Sequence, residues 1–289
     1  MTDTTISSPI RGIYINLDRS TFRKDQCDIF FKTHGISEFY TRFPGILGSD
    51  YAEQYKTSGL SAGKIGCWLS HLHAVKNSLS HDCHLHVLED DFELTTAFPQ
   101  FIRHFDKHTE NLGDWDIIFT DFTLAINRDV GAIKNLIAKI NKLQSNNRFV
   151  IEDAKNLYAA GNSSYIVNKR SKQKIADILE AGMGSPLPQD IYLRELARQG
   201  KIKIFVTLPF LTTLSEAFKD SDILGKIDDR NPSIINNVIF RKSLSWGADT
   251  KQLLKTIKQR ISAQPPINDR AMIYTHLVAH IVSDDYKNY

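Results

Sequence analysis

The sequence has few cysteines and no long hydrophobic run. Its 289 residues include only three cysteines, Cys27, Cys67 and Cys83. Such a sparse, odd-numbered set is not a disulfide framework, and it indicates a reducing compartment. No segment approaches the roughly 20 apolar residues that a membrane-spanning helix needs. The first ten residues also lack the pattern of a signal peptide, so we expect a cytoplasmic protein.

A strong excess of charge and several common motifs are also missing. The formal net charge is +3, which is small for a dedicated nucleic-acid binder, so we expect no nucleic-acid partner. The chain has no GxGxxG fingerprint and no P-loop, which disfavours dehydrogenases and nucleotide triphosphatases. It has no GxSxG motif, which disfavours serine hydrolases. These absences leave other enzyme classes and binding proteins open.

What the sequence does contain is an alternation of short apolar runs with helical patterns, which predicts an α/β fold. Residues 40–60 are rich in glycine and tyrosine and are predicted to form a loop. We predict strands at 13–17, 84–88, 116–120, 163–167 and 202–206, and helices at 21–34, 65–79, 98–108, 131–144, 171–181 and 190–200.

Strand patterns weaken after about residue 220. An apolar stretch covers 234–240, a basic amphipathic helix is predicted at 250–262, and a further helix at 269–282. We therefore predict an α/β domain at 1–215 and a mainly helical C-terminal extension at 216–289. The lysines of 250–262 suit contact with anionic lipid headgroups at the inner face of the membrane. Packing of this helix on the α/β domain is the alternative.

An acidic triplet, Glu89-Asp90-Asp91, follows the apolar strand 84–88 directly. The carboxyl ends of such strands face the crevice in which open α/β sheets bind ligands. Carboxylates held close together repel one another unless a cation lies between them. Mg²⁺ and Mn²⁺ prefer oxygen ligands and commonly take one or two carboxylates plus phosphate oxygens. In an extended segment Glu89 and Asp91 share one side, so they are the predicted metal ligands; a solvated acidic turn is the alternative.

Histidines are frequent near this triplet, which raises the alternative of a zinc site. Five of them fall within residues 71–86, and Cys67 lies four residues before His71. No cysteine pair and no HExxH spacing accompanies them, and both segments are apolar elements of the expected core. The sequence therefore favours buried core histidines over zinc ligands.

Three blocks carry a likeness to a known family. They are residues 13–19, residues 63–72 with 87–91, and residues 161–167 with 188–190. In this order and spacing, over about residues 11–215, the chain resembles glycosyltransferase family 25, the lipopolysaccharide-biosynthesis and procollagen galactosyltransferase group.

The resemblance implies a GT-A-like, Rossmann-type α/β sandwich with a mixed central sheet. It also implies a UDP-sugar donor, a divalent cation (Mn²⁺ or Mg²⁺), inversion at the anomeric carbon, and a glycan acceptor of a bacterial surface polysaccharide. Galactose is the sugar that the resemblance suggests.

Donor-binding residues are expected at and after the end of the strand 13–17, within the helix 65–79 and after the strand 84–88. In folds of this type the nucleotide lies beside the end of the first strand, where Asn16, Asp18, Arg19 and Arg23 follow one another. Arginine contacts phosphate in a bidentate way, although Arg19 and Arg23 are also spaced as on a solvated helix face. The full predicted donor set is Asn16, Asp18, Arg19, Arg23, Ser70 and Asp90, with His71 as a pocket wall.

The catalytic base is predicted to be Asp190. An inverting transfer needs a carboxylate that takes the proton of the acceptor hydroxyl, and the family has an acid after the proline that Pro188 matches. An aspartate at a helix start also caps backbone N–H groups. Asp121 and Glu216 are the competing candidates.

The predicted function is therefore an inverting, metal-dependent hexosyltransferase. Two alternatives use the same residues differently. A nucleotidyl- or phosphotransferase would use the same metal and release pyrophosphate, and a non-catalytic protein would bind the nucleotide sugar or the glycan without turnover.

Overall fold

The computed structural model describes residues 9–124, 130–221, 223, 225–227 and 231–262. Within these ranges no helix is long and apolar enough to cross a membrane. The helix predicted at 269–282 and residues 1–8 of the N-terminal segment lie outside the described residues.

The strands and helices alternate along the chain, as predicted. The strands are β1 Ile10–Asn16, β2 Tyr40–Pro44, β3 His84–Glu89, β4 Phe92–Leu94, β5 Ile117–Phe119, β6 Thr123–Leu124, β7 Val150–Asp153, β8 Tyr158–Ala160, β9 Ser164–Val167, β10 Ile204–Leu208, β11 Thr212–Leu214, β12 Asp220–Ser221 and β13 Gly225–Lys226. The α-helices are α1 Thr21–Thr33, α2 Ala62–Asn77, α3 Phe98–Arg103, α4 Phe105–Thr109, α5 Val130–Ser145, α6 Lys172–Ala181, α7 Gln189–Arg198, α8 Pro232–Ser243 and α9 Thr250–Ser262.

Seven strands form one central sheet, in the order β2-β1-β3-β9-β5-β10-β7. Strands β2, β1 and β3 run parallel, β9 is antiparallel to both β3 and β5, β10 is parallel to β5, and β7 is antiparallel to β10. A small two-stranded sheet of β4 and β11 lies at the end of β3. The prediction of an α/β fold with a mixed central sheet is confirmed.

Helices cover both faces of the sheet, which is why every residue of β3 from His84 to Leu88 is buried. Alternate residues of a strand point to opposite faces. Val87 of β3 packs in a core with α2, α5, α6 and α7, whereas Leu88 packs in a second core with α1, α3 and α4. Both side chains are fully buried, so β3 is fixed in the middle of the domain and its carboxyl end is held rigidly.

Several predictions of local structure are wrong. Residues 40–44 form an edge strand of the central sheet rather than a loop, with Gly12 to Asn16 of β1 pairing in parallel with Tyr40 to Pro44. The helix predicted at 98–108 is divided into α3 and α4 at His104. Helix α1 begins at Thr21, so Arg19 precedes it and does not share a helix face with Arg23.

The predicted amphipathic helix at 250–262 is confirmed as α9. Its residue Ile257 is fully buried in the same core as α2, together with Phe240 of α8 and Leu244. Ile257, on the apolar side of α9, is thus covered by the rest of the protein, which favours packing over insertion into lipid. The domain boundary at residue 215 stays a prediction.

Candidate active site

The carboxyl ends of β1 and β3 meet at one edge of the sheet because the two strands are parallel neighbours, with Ile15 opposite Glu89. Asn16 follows Ile15 as the last residue of β1, and Asp90 follows Glu89 directly after β3. The Asn16 side-chain amide donates to Asp90 Oδ2 at 2.7 Å. Residues that are 74 positions apart in the chain are thereby joined at the edge where ligands bind in α/β folds.

Asp90 is held by a second donor, Arg23 of α1. Arg23 Nη1 lies 2.8 Å from Asp90 Oδ1, and the two side chains are only 14% and 11% exposed. Burial raises the pKa of Asp90 above its ordinary value, although the charge of Arg23 opposes this. Both oxygens of this carboxylate thus have protein donors, so Asp90 fixes Asn16 and Arg23 in place.

Glu89, the last residue of β3, faces α2. Its Oε1 lies 3.2 Å from His71 Nε2 and 3.9 Å from Cys67 Sγ. The buried His71 ring is held on its other side by the Tyr165 hydroxyl, 2.9 Å from Nδ1. Burial alone would raise the pKa of Glu89, but the hydrogen bond and charge of His71, helped by Arg241, hold it below its ordinary value. Glu89 is therefore a carboxylate that stays ionised at neutral pH.

Asp91 is the least satisfied member of the triplet. Its Oδ1 is buried and has no hydrogen-bond partner among the described residues. Burial, followed by repulsion from Glu89 and Asp90, raises the pKa of Asp91 to about 7. A carboxylate in this position gains from a cation that neutralises it and supplies the missing partner. The pair Glu89 and Asp91 therefore fits a hard divalent ion.

Two clefts meet at this pair, and both are lined by Cys67, Glu89 and Asp91. The first cleft, of about 310 Å³, is also lined by Arg19, Arg23, Ser70, His71 and Asp90. The second cleft, of about 340 Å³, is also lined by Lys64, Asn162, Gln189, Asp190 and Arg241.

The floor of the first cleft is formed by a loop at residues 45–49 that packs directly on α2. A Cβ atom added at Gly66 would lie 2.5 Å from the Ile46 carbonyl oxygen, so only glycine permits this approach. The Ser70 hydroxyl accepts from the Ile46 backbone N–H at 2.8 Å and holds the loop. Ser70 thus shapes the cleft as well as lining it.

Two predicted donor residues do not line the first cleft. Asn16 is buried beneath it, between Asp90 and Arg42, whose Nε donates to Asn16 Oδ1 at 2.8 Å. Asp18 forms an ion pair with Arg42 at 2.5 Å, and its side chain is 84% exposed. Arg42 was missed by the sequence analysis because its strand β2 was missed.

Asp190 lies at the second position of α7 and lines the second cleft. It does not act as the N-cap, which is Pro188. Its Oδ2 accepts from the Gly161 backbone N–H at 2.9 Å, and its Oδ1 accepts from the Ile191 N–H at 2.8 Å. Gly161 has a φ of 92°, which suits glycine. The carboxylate is thereby fixed against the loop that precedes β9.

The two competitors for the base lie elsewhere. Asp121 is almost completely buried and forms an ion pair with Arg241 of α8. The Glu216 side chain is 73% exposed and pairs with Lys219 and Lys242. Neither side chain lines the two clefts. Arg241 itself was not predicted, since nothing in the sequence of α8 connects it with Asp121.

The strand histidines belong to the core, as expected. The His86 ring lies 2.7 Å from the Tyr40 hydroxyl and 3.0 Å from the Ser164 hydroxyl, and His84 stacks on Trp115. His71 differs from them, since its Nε2, Cys67 Sγ and a Glu89 oxygen all lie within 4.8 Å of one another. The sequence showed the spacing of Cys67 and His71, but not the approach of Glu89.

Comparison with known proteins identifies the family of the chain. No curated protein matches the chain. The model of glycosyltransferase family 25 (LPS biosynthesis protein) matches residues 12–193, a range that contains every predicted site residue from Asn16 to Asp190. Since this match covers well over half of the chain, the protein belongs to glycosyltransferase family 25 and is a glycosyltransferase.

Proposed function

We propose that this glycosyltransferase moves a hexose from a UDP-sugar to a glycan acceptor in lipopolysaccharide or other surface-polysaccharide biosynthesis, with inversion at the anomeric carbon. The observation that carries the proposal is the buried Asp91 Oδ1 beside Glu89, which has no hydrogen-bond partner in the described part of the chain and lies at the junction of two clefts. One cleft on each side of a cation site suits a reaction that brings two substrates together.

The first cleft is the proposed donor site. Arg19 and Arg23 line it on the side of β1, and guanidinium groups bind phosphate oxygens through paired hydrogen bonds. Its volume of about 310 Å³ is in the range of small-molecule sites. Arg23 is positioned by Asp90, so the role proposed for Asp90 is to orient this arginine.

Glu89 and Asp91 would hold the Mn²⁺ or Mg²⁺ ion. When bound, such an ion supplies Lewis-acid stabilisation of the charge that develops on the UDP leaving group. The residues present fit it, because these two carboxylates lie at the end of one strand and Asp91 Oδ1 has no donor among the residues that the structure describes. Arg19 and Arg23 would add positive charge on the donor side.

The second cleft is the proposed acceptor site, with Asp190 as the base. Asn162 and Gln189 are about 95% buried there, and Asn162 Nδ2 and Gln189 Oε1 have no hydrogen-bond partner among the described residues. A buried donor and a buried acceptor suit the hydroxyl groups of a sugar.

The transfer step that we propose uses these groups as follows. An acceptor hydroxyl gives its proton to the Asp190 carboxylate while its oxygen forms the new bond to the anomeric carbon. The bond from that carbon to the UDP oxygen breaks, and UDP leaves with the electron pair. Attack from the face opposite the leaving group inverts the anomeric centre. The two backbone N–H groups that bind Asp190 leave lone pairs on both oxygens for this proton.

The donor sugar that we propose is galactose, on the resemblance to the galactosyltransferases of this family. Membership in the family favours sugar transfer over nucleotidyl or phosphoryl transfer and over binding without turnover.

A panel of UDP-sugars, assayed for metal-dependent release of UDP, tests the proposal. We expect UDP-galactose to be hydrolysed or transferred in the presence of Mn²⁺, EDTA to abolish the reaction, and added Mn²⁺ to restore it. Release of pyrophosphate in place of UDP, or full activity in EDTA, would contradict the proposal.

A further inference from the structure

Three side chains of different chemistry converge where α2 passes the end of β3. Cys67 and His71 are one helical turn apart on α2, so they lie on the same face. Glu89 reaches them from β3, with its Oε1 3.2 Å from His71 Nε2 and 3.9 Å from Cys67 Sγ. All three potential ligand atoms lie within 4.8 Å of one another.

These separations are close to those of a zinc site. Zinc bonds to sulfur at about 2.3 Å and to nitrogen or oxygen at about 2.0–2.2 Å in a tetrahedral arrangement, which places ligand atoms roughly 3.4–3.6 Å apart. The two measured separations, 3.2 and 3.9 Å, bracket this range. Small side-chain adjustments would therefore close the site around an ion.

The surroundings of the three residues also suit a metal. The Tyr165 hydroxyl binds His71 Nδ1 at 2.9 Å and leaves Nε2 directed toward Glu89, which is the kind of support that orients a histidine ligand. Cys67 is half-buried and lines both clefts. An ion can thus enter from solvent, and water would supply the fourth ligand.

We propose that Cys67, His71 and Glu89 bind one Zn²⁺ ion, and that this ion inhibits sugar transfer by engaging Glu89. This zinc site and the Mn²⁺ or Mg²⁺ pair share Glu89. The other zinc ligands are Cys67 and His71, whereas the other ligand of the pair is Asp91. The inhibitory part of this proposal rests on the proposed function; the binding part does not.

The two sites select different ions because their ligands differ. A thiolate and an imidazole favour Zn²⁺, whereas carboxylate and phosphate oxygens favour Mn²⁺ or Mg²⁺. When zinc binds, the Cys67 S–H bond and the His71 Nε2–H bond that faces Glu89 both break, their protons pass to water, and the Zn–S and Zn–N bonds form. The positive charge then placed on one oxygen of Glu89 opposes the binding of a second cation at the other.

Direct metal binding is measured first, on the full-length protein after removal of metals by a chelator. We expect calorimetry to give one Zn²⁺ per chain at high affinity, with release of protons. Co²⁺, used as a spectroscopic probe, should produce a thiolate-to-cobalt charge-transfer band. Absence of this band in the folded wild-type protein would overturn the proposal.

Two variants assign the site. Cys67→Ala should weaken Zn²⁺ binding at least 100-fold and abolish the cobalt band, since loss of supporting residues alone costs 10- to 100-fold. The matched control is Cys83→Ala, because Cys83 is also half-buried and precedes β3 at the end of the strand opposite Glu89. It should bind zinc as the wild type does. Equal Zn²⁺ affinity in the two variants, or weaker Zn²⁺ binding by Cys83→Ala, would overturn the assignment. If Cys67→Ala does not fold, the presence or absence of the cobalt band in the wild type decides whether a thiolate binds the metal.

The inhibitory effect is measured as the Mn²⁺ concentration for half-maximal transfer. Each protein is compared with its own zinc-free value. One equivalent of Zn²⁺ should raise the Mn²⁺ concentration for half-maximal transfer at least 10-fold in the wild type. It should leave this concentration unchanged in Cys67→Ala. Binding of zinc without this shift would overturn the inhibitory role. If the zinc-free wild type shows no Mn²⁺-dependent transfer at all, that result counts against the proposed function. The result of the zinc-binding measurement is independent of it.

Discussion

Arg23 Nη1 donates to Asp90 Oδ1 at 2.8 Å, which joins the first turn of α1 to the turn after β3 across 67 residues of sequence. A second nitrogen of Arg23 donates to the backbone carbonyls of Ala217 and Asp220. The pair therefore connects the first cleft with the segment that follows β11. The positions of both residues in that cleft depend on this contact.

Arg23→Met should destabilise the protein because it leaves the Asp90 carboxylate, whose side chain is 11% exposed, without its cationic partner. Breaking a buried ion pair from one side typically costs about 3–5 kcal/mol, whereas replacing both partners costs much less. We expect urea denaturation to show a loss of about 3 kcal/mol for Arg23→Met, and a clear recovery when Asp90→Asn is added. Equal unfolding free energies for the single variant and the wild type would show that the pair does not hold the two elements together.

Asp91→Asn should abolish transfer and leave the fold intact. Burial and the charges of Glu89 and Asp90 already disfavour the ionised form of Asp91 and raise its pKa to about 7, so a neutral amide costs the metal-free protein nothing. We expect at least a 100-fold loss of kcat/KM, by comparison with the 10- to 100-fold losses for supporting residues of metal sites. Unfolding temperature in EDTA serves as the control. A variant with wild-type turnover would remove Asp91 from the metal site.

Asp190→Asn should lower kcat by about 10²- to 10⁴-fold, the usual contribution of a general base, with little change in the KM for the donor. The two competing acids supply matched controls. Glu216→Gln should retain near wild-type activity, since that side chain is exposed. Asp121→Asn should lower stability instead, because Arg241 loses its buried partner. Steady-state kinetics with circular dichroism separate these outcomes, and a larger kcat loss in Glu216→Gln than in Asp190→Asn would reassign the base.

The sequence predicts some elements of the fold and of the candidate site, but not others. The triplet Glu89-Asp90-Asp91 was placed correctly at the end of β3 because Leu85, Val87 and Leu88 form a short apolar run that is typical of a strand buried on both faces. Helix α9 was predicted because its amphipathic period is strong over three turns.

Strand β2 was missed because only Tyr40 of its five residues is buried, so an edge strand of this kind has no clear apolar alternation. Arg42 and Arg241 were missed for a different reason. Each acts on a residue far away in the chain, Arg42 on Asn16 and Arg241 on Asp121, and local spacing carries no information about such contacts. The approach of Glu89 to Cys67 likewise depends on how α2 packs beside β3.

Acid should destabilise the protein through His86, whose ring is bound by the Tyr40 and Ser164 hydroxyls and contacts Phe98. Complete burial lowers the pKa of His86 from 6.5 to about 3. The unfolded chain therefore takes up this proton as the pH falls through 6.5, whereas the folded protein does not until about pH 3. The contribution of His86 to the free energy of unfolding is therefore fully present above pH 6.5 and is lost as the pH falls toward 3.

His86→Gln tests this effect, because the amide keeps polar partners for both hydroxyls and does not titrate. Between pH 6 and pH 5, the unfolding free energy of the wild type should fall by about 1 kcal/mol per pH unit more than that of the variant, close to the value for one proton. Parallel stability curves for the two proteins over this window would contradict the account of His86.

The position of the cation decides the mechanism. Crystals grown with UDP and Mn²⁺, measured at the manganese absorption edge, report the ion through its anomalous signal. We predict a peak within coordination distance of Glu89 and Asp91, with the diphosphate in the cleft lined by Arg19 and Arg23. A manganese ion bound elsewhere, with UDP distant from these two carboxylates, would contradict the proposed mechanism.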